Sequence, residues 1–232
     1  MINGTMAKYS SVAVIYGSDS SEWEVSCRSG VFTASKIDPS VYSVYEIFAR
    51  FAKWELAAFT PKNGTRVEFP ADGRPAIDRN DFSVILPDGS KVRFDYAFIM
   101  QHGTPGENGL MQGYLEMLGI PFSSCSSFVS AITFDKFSCK SYLHDVDFVK
   151  VARDIFVRKN ELTPDLPAKV VEKLGLPVFV KPTDSGSSFG VTKVKSIEGF
   201  KAAFDLCFSE GRTMLIEESV SGRELECAVY RT

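Results

Sequence analysis

The sequence predicts an α/β chain in which a doubly wound domain is followed by a smaller α+β unit. Three observations carry that expectation. Residues 12–37 read as strand, loop and helix; strand candidates and a helical run continue to about residue 118; and from Ser127 the pattern changes to consecutive helices and short strands.

Residues 12–16 are an apolar run of the kind buried in a parallel sheet, and the run ends at Gly17. Ser20, Ser21 and Glu22 then open a helical stretch to about Ile37. The β-rich run 41–48 suits a second, parallel strand after that helix, and residues 54–59 and 91–100 supply further strands. Between them, residues 60–88 are rich in Pro, Gly, Asp and Asn and read as turns around short strands. The strand ending at Met100 and Gln101 runs into a loop at 102–109, and residues 110–118 carry apolar positions at helical spacing. Ligands of open α/β sheets sit at the carboxyl ends of the strands, which is where the loops at 17–22 and 102–109 fall. Beyond a boundary near Thr133 the sequence predicts helices at 127–131, 134–143, 167–174 and 197–208, and strands at 149–157, 177–181, 191–194, 214–216 and 224–230.

Lys plus Arg at 26 against Asp plus Glu at 29 gives a net charge of −3, and no basic run or nucleic-acid-binding signature accompanies it, which argues against a nucleic-acid partner. At 44% hydrophobic and 24% charged residues the composition is that of folded protein rather than disordered chain. No apolar segment is long enough for a membrane span and the start lacks the pattern of a secretory signal, so the expectation is a cytoplasmic chain without membrane association. Five cysteines without a C-x-x-C pair point to free thiols, and two histidines leave little for a His-based metal site. A Walker A motif and a G-x-G-x-x-G fingerprint are both absent.

The richest stretch is residues 176–194. Lys181 closes an apolar strand, and a loop containing Gly186, Ser187, Ser188 and Gly190 leads into a second strand. Glycines permit backbone conformations in which successive N–H groups converge on an anion, while the hydroxyls and Lys181 add donors and charge. An ordinary Gly/Ser hairpin turn with a solvated lysine explains this segment, taken alone, equally well.

Four segments bear on each other: 20–26, the loop at 102–113, Asp135-Lys136, and 181–190. His-Gly-Thr-Pro-Gly-Glu-Asn-Gly-Leu-Met-Gln-Gly at 102–113, Lys-Pro-x-x-x-Gly-Ser-Ser-x-Gly at 181–190 and Ile-Glu-Glu-x-x-x-Gly-x-Glu at 216–224 together resemble a D-alanine–D-alanine ligase of the ATP-grasp class, from about Val12 to Tyr230. The resemblance implies a Rossmann-like, D-alanine-binding domain at 1–133, a central ATP-grasp domain at 134–214 and, at 215–232, the start of a C-terminal ATP-grasp domain largely missing from the chain.

It also implies roles. Lys136 and Lys181 are the lysines that reach the ATP phosphates, and Gly186, Ser188 and Gly190 belong to the flap that covers them. Glu217, Glu218 and Val220 lie at the adenosine site, with the backbone of 218–220 facing the adenine edge and Glu224 accepting from the ribose hydroxyls. Glu22 binds the ammonium of the first D-alanine and, with Ser187, ties the first domain to the flap; its alternative is a capping box at the helix start. His102 stands near the reacting carboxylate, with a structural loop histidine as alternative. His144 has no counterpart in the family pattern.

The implied reaction is ATP-dependent joining of two D-alanines through an acyl phosphate, a step of peptidoglycan precursor synthesis for the bacterial cell wall. Another ATP-grasp carboxylate–amine ligase and a non-catalytic nucleotide-binding module are the alternatives. The family uses Mg²⁺, whose ligands lie on a later segment than this sequence contains. The expectation is therefore a truncated chain that does not turn over alone, and the family resemblance favours a homodimer through the first domain.

Overall fold

The computed structural model describes residues 9–186 and 188–229. It divides into two compact units, residues 1–135 and 136–232.

In the first unit β1 (Ser11–Gly17) leads through a short loop into α1 (Trp23–Ala34), and β2 (Ser43–Arg50) returns parallel to β1. The hairpin partner β3 (Lys53–Thr60) and the two-residue β4 (Val67–Glu68) continue the sheet antiparallel. Three short strands, β5 (Ile77–Asp78), β6 (Ser83–Ile85) and β7 (Lys91–Arg93), form a separate antiparallel sheet. The chain then re-enters the large sheet as β8 (Tyr96–Ile99), parallel to β1, giving the order β4-β3-β2-β1-β8. Two helices follow, α2 (Leu110–Met117) and α3 (Ser127–Phe134).

Every residue of β1 is buried, and its period of two divides the core. Val14 and Tyr16 join Val44 and Ala34 on the α1 face, while Ala13 and Ile15 join Ile47, Met111 and Leu115 on the α2 face, where Phe82 and Phe94, flanking the strands of the small sheet, also pack. The sheet is thus covered on both faces, as a doubly wound domain requires. Gly30 is buried on α1, and a β-carbon there would lie 2.3 Å from Tyr16 Cδ1; the glycine lets the helix lie close on β1. On the same face Glu46 is 2% exposed and meets Arg66 through two hydrogen bonds of 2.5 and 3.0 Å. A bridge from Ala97 to Phe122, with Ala97 N–H donating to Pro121 and Ser123 N–H donating to Ala97, lines the outer edge of β8.

The single strand expected at 91–100 is two strands in two sheets. Phe94 turns inward at 2% exposure, and Asp95 Oδ2 accepts from the Ser10 and Ser11 N–H groups at 3.0 Å each, which breaks the run and starts β8 on the other sheet.

The second unit begins with α4 (Lys136–Leu143) and continues as β9 (Asp154–Arg158), α5 (Leu166–Leu174), β10 (Val178–Pro182), β11 (Thr192–Val194), α6 (Phe200–Glu210) and β12 (Thr213–Glu218). Its four strands make one antiparallel sheet in the order β11-β10-β12-β9. Val157, Val178, Val180, Met214 and Ile216 point to α5 and α6, where they pack on Val170, Phe200 and Phe204. The intervening residues face the other way, toward α4, whose Phe137 stacks on Phe156 with ring centroids 4.3 Å apart.

Two expectations change here. The strand expected from 149 starts at Asp154, where pairing with Glu217 begins, and Arg153 is instead engaged by Glu218. The strand expected at 224–230 is not formed over its described part: residues 221–229 are exposed and outside regular structure, since a strand needs a paired neighbour and none of the described strands pairs with them. Residues 213–218 form β12, an interior strand of the second unit's sheet. Among the described residues no helix is long and apolar enough to cross a membrane, and all five cysteines are free.

Candidate functional site

In the first unit the candidate residues gather where β1 and β8 end. Their helices lie on opposite faces of the sheet, so the loops diverge and leave a crevice between them. Gly17 has a φ of +110°, and a β-carbon there would lie 2.6 Å from the Ala49 carbonyl oxygen. Ser26 Oγ bridges the two strand ends, accepting from Gly17 N–H at 3.0 Å and donating to the Met100 carbonyl at 2.7 Å.

Glu22 occupies the N-cap of α1 and is 6% exposed. Its side chain does not cap the helix; Ser20 Oγ accepts from Glu22 N–H at 3.1 Å and donates to the His102 carbonyl at 2.8 Å. The capping-box alternative for Glu22 is therefore set aside. Gly103 has a φ of +70°, and a β-carbon on it would fall 2.7 Å from Ser20 Cβ and 3.5 Å from Glu22 Oε2, which puts the carboxylate beside the loop that follows β8. Glu107 Oε2 accepts from Gly103 N–H at 2.6 Å and holds that loop closed. The His102 ring lies 3.2 Å from Ser29 Oγ through Nε2. Sequence reasoning gave no separate role to Ser26 and Glu107, although both lie in segments it singled out, and it missed Ser29, which is brought to His102 by the fold. A cavity of 610 Å³ opens on the α2 side of the same edge, walled in part by Phe51, Trp54, Gln101 and Tyr114; neither Glu22 nor His102 lines it.

In the second unit the alternation of β10 and β12 places Lys181 and Glu217 on the α4 face of the sheet. They form an ion pair through Lys181 Nζ and Glu217 Oε2, with 21% and 13% of the side chains exposed. Lys140 of α4 reaches the other oxygen of Glu217 at 2.8 Å and Asp154 Oδ2 at 2.6 Å. Burial works against ionisation of Glu217, but the hydrogen bonds and charges of Lys140 and Lys181 outweigh it and hold the carboxyl below the usual carboxylate range. Lys140 and Asp154 carry no motif; strand register sets Asp154 opposite Glu217, and the packing of α4 on this face brings in Lys140.

Lys136 stands at the first position of α4. Its N–H donates to the Thr183 carbonyl at 2.8 Å and its Nζ to the Ser185 carbonyl at 2.5 Å, so α4 is tied to the start of the Gly/Ser loop. That loop joins the antiparallel strands β10 and β11. Ser185 Oγ donates to the Phe189 carbonyl at 2.9 Å, and Phe189 N–H donates to Gly186 at 3.0 Å. Ser188 and Gly190 have φ of +61° and +74°, the left-handed turns that let a short loop double back. Ser187 lies outside the described residues.

Glu218 is paired with Arg153, whose N–H and Nε donate to its two oxygens at 2.7 and 2.8 Å. The Glu218 N–H donates to Arg153 O at 3.1 Å and the Ser219 N–H to Pro177 O at 3.2 Å. Val220 and Glu224 are exposed and outside regular structure. Among the described residues no group of three or more His, Cys, Asp or Glu side chains could hold a metal ion.

Two family descriptions match the chain: "D-ala D-ala ligase N-terminus" over residues 11–125 and "D-ala D-ala ligase C-terminus" over residues 140–232. A protein named D-alanine--D-alanine ligase from Phocaeicola vulgatus is 43% identical over 222 residues, covering 95% of this chain and 64% of the relative. One of the same name from Bacteroides fragilis is 41% identical over 221 residues with the same two coverages. Among solved structures, D-alanyl-alanine synthetase A from Vibrio cholerae superposes with a TM-score of 0.74 at 24% identity, over 93% of this chain and 60% of that one. The VanG D-Ala:D-Ser ligase from Enterococcus faecalis superposes with a TM-score of 0.71 at 23% identity, over 93% and 64%. The chain spans about 64% of the length of the curated relatives it matches.

Proposed function

The chain belongs to the D-alanine–D-alanine ligase family, and from that premise we propose that the protein carrying it joins two D-alanines at the expense of ATP, as a step in building peptidoglycan precursors. The observation that supports this reading most is the arrangement in the second unit. Two lysines from different elements, Lys136 on α4 and Lys181 on β10, flank the start of a Gly/Ser hairpin loop.

A carboxylate is a poor electrophile. In the proposed chemistry an oxygen of the first D-alanine's carboxylate attacks the γ-phosphorus of ATP, the bond to the β-phosphate oxygen breaks, and ADP leaves an acyl phosphate. The amine of the second D-alanine, having lost a proton, attacks the acyl carbon, and collapse of the tetrahedral adduct expels inorganic phosphate. Lys136 and Lys181 would offset charge on the transferring phosphoryl group, with N–H groups of the Gly186 to Gly190 loop, Ser188 included, as neutral donors. Glu217 orients Lys181, and Val220 and Glu224 are assigned to the adenosine, with Glu224 accepting from the ribose diol.

In the first unit Glu22 would accept from the first D-alanine's ammonium. Its burial at the head of α1 suits a fixed counter-charge more than a solvated residue. His102, on the facing loop, would stand by the acyl phosphate.

The reading is tested on the protein that carries this chain by following phosphate release from ATP with D-alanine or L-alanine, and identifying the product by mass spectrometry. D-alanine-dependent phosphate release with D-alanyl-D-alanine formed in equal amount is expected. Release that ignores D-alanine, or responds to a different acid, would replace this reading with another ligase or a nucleotide-binding role.

A further inference from the structure

Strand register sets Asp154 of β9 directly opposite Glu217 of β12, with both side chains on the α4 face. Like charges facing each other across a sheet repel, and here both are substantially buried, at 22% and 13% side-chain exposure. Lys140 sits over the pair. Its ammonium has three donors, and acceptors stand at 2.6 Å (Asp154 Oδ2), 2.8 Å (Glu217 Oε1) and 2.7 Å (the Ala152 carbonyl). With 14% of its own side chain exposed, Lys140 is a fixed element of this face. The second oxygen of Glu217 is thereby left for Lys181.

We propose that Lys140 is a positioning residue for Lys181, acting through Glu217. It neutralises the Asp154–Glu217 pair, keeps Glu217 turned toward Lys181, and remains as the partner of Glu217 when Lys181 turns to an anionic ligand. Within this cluster the two carboxylates of Asp154 and Glu217 are matched by the two ammonium groups of Lys140 and Lys181. Without Lys140, both carboxylates draw on Lys181, and the lysine that should meet phosphate is held back. A buried carboxylate deprived of its cation is costly, which makes Lys181 hard to release unless Lys140 stays behind.

This inference rests on the reading of Lys181 as a phosphate-binding lysine, and the test separates the two. Binding of ATP and of adenosine to the full chain is measured by calorimetry for wild type, K140M, K140R and K140M/D154N, with circular dichroism as a check on folding. K140M should weaken ATP binding at least about tenfold, the scale of losing a partly buried charge partner. K140R should stay near wild type. Removing the Asp154 charge should make Lys140 dispensable, so K140M/D154N should recover ATP affinity to within about threefold of wild type, a coupling that a packing role would not produce. ATP binding by wild type with K140M unchanged, or a folded K140M/D154N that fails to recover, would overturn the role of Lys140 alone. No ATP binding by wild type would overturn the assignment of Lys181 and this inference with it. Should K140M not fold, the double variant still decides, since recovery of fold and ATP affinity together supports the role and failure of either rejects it.

Discussion

Gly30→Ala should destabilise the first unit although alanine is the better helix former. Alanine gains about 1 kcal/mol over glycine in a helix interior. Against that, the new β-carbon would stand 2.3 Å from Tyr16 Cδ1 and 2.5 Å from Tyr16 Cβ and Cγ, so reaching the 3.4 Å of ordinary contact requires α1 and β1 to part by about 1.1 Å. Tyr16 cannot swing away: it is 5% exposed and packs edge-on to Phe48. Overpacking a closed core costs about 1–3 kcal/mol, and contact with the root of a ring on a central strand belongs near the upper end, leaving a net loss of about 1–2 kcal/mol. With a urea dependence of about 1–3 kcal/mol per molar, the midpoint should fall by roughly 0.5–1 M. Both tryptophans, Trp23 and Trp54, lie in the first unit, so tryptophan fluorescence during urea titration reads that unit alone. A midpoint equal to or above wild type would refute the view that Gly30 is there to seat α1 on the sheet.

Ser26→Ala removes the link between the ends of β1 and β8 and leaves the Gly17 N–H and Met100 carbonyl without that partner; a loss of about 1–3 kcal/mol is expected in the same fluorescence titration, with no loss if the two strand ends hold their loops unaided. Phe200→Ala empties a fully buried position of the second unit. It should cost about 3–5 kcal/mol, visible as an earlier unfolding transition by far-ultraviolet circular dichroism while the tryptophan signal keeps its midpoint. Acid should weaken the second unit through Glu217. Its folded carboxyl is held below the ordinary value of 4.5, so its contribution is present above that pH and lost as the pH falls through the lowered value. Glu217→Gln should flatten this acid limb, and an unchanged slope in stability against pH would remove Glu217 as its source.

The runs that became β1, β10 and β12 were legible because a buried strand needs consecutive or alternating apolar residues and little else. The loop at 102–109 was legible because its residues carry chemistry in an unusual order. What escaped depends on partners distant in the chain. Residues 91–100 read as one strand, and only the inward turn of Phe94 and the contacts of Asp95 with Ser10 and Ser11 divide them. Lys140 and Asp154 are ordinary charges in the sequence; the antiparallel register of β9 and β12 sets Asp154 opposite Glu217, and α4 lays Lys140 over both. Glu22 shows the reverse case. Its position behind two serines suggested a helix cap, yet Ser20 takes the backbone N–H and the carboxylate lies beside Gly103.

The margins of the sheets carry a consequence for how this chain behaves among its own copies. Along β8 the groups that could receive a foreign strand are engaged by residues 121–123. The opposite margin, β4, offers two exposed residues, one of them Glu68 in an ion pair with Arg66. In the second unit β11 is three residues long with Lys193 at its centre, and β9 ends at Arg158, whose N–H donates to Glu161. Each described margin is covered, short or charged, the devices that deny intermolecular strand addition a template. At high concentration, the ordered sheets are poor seeds for cross-β growth.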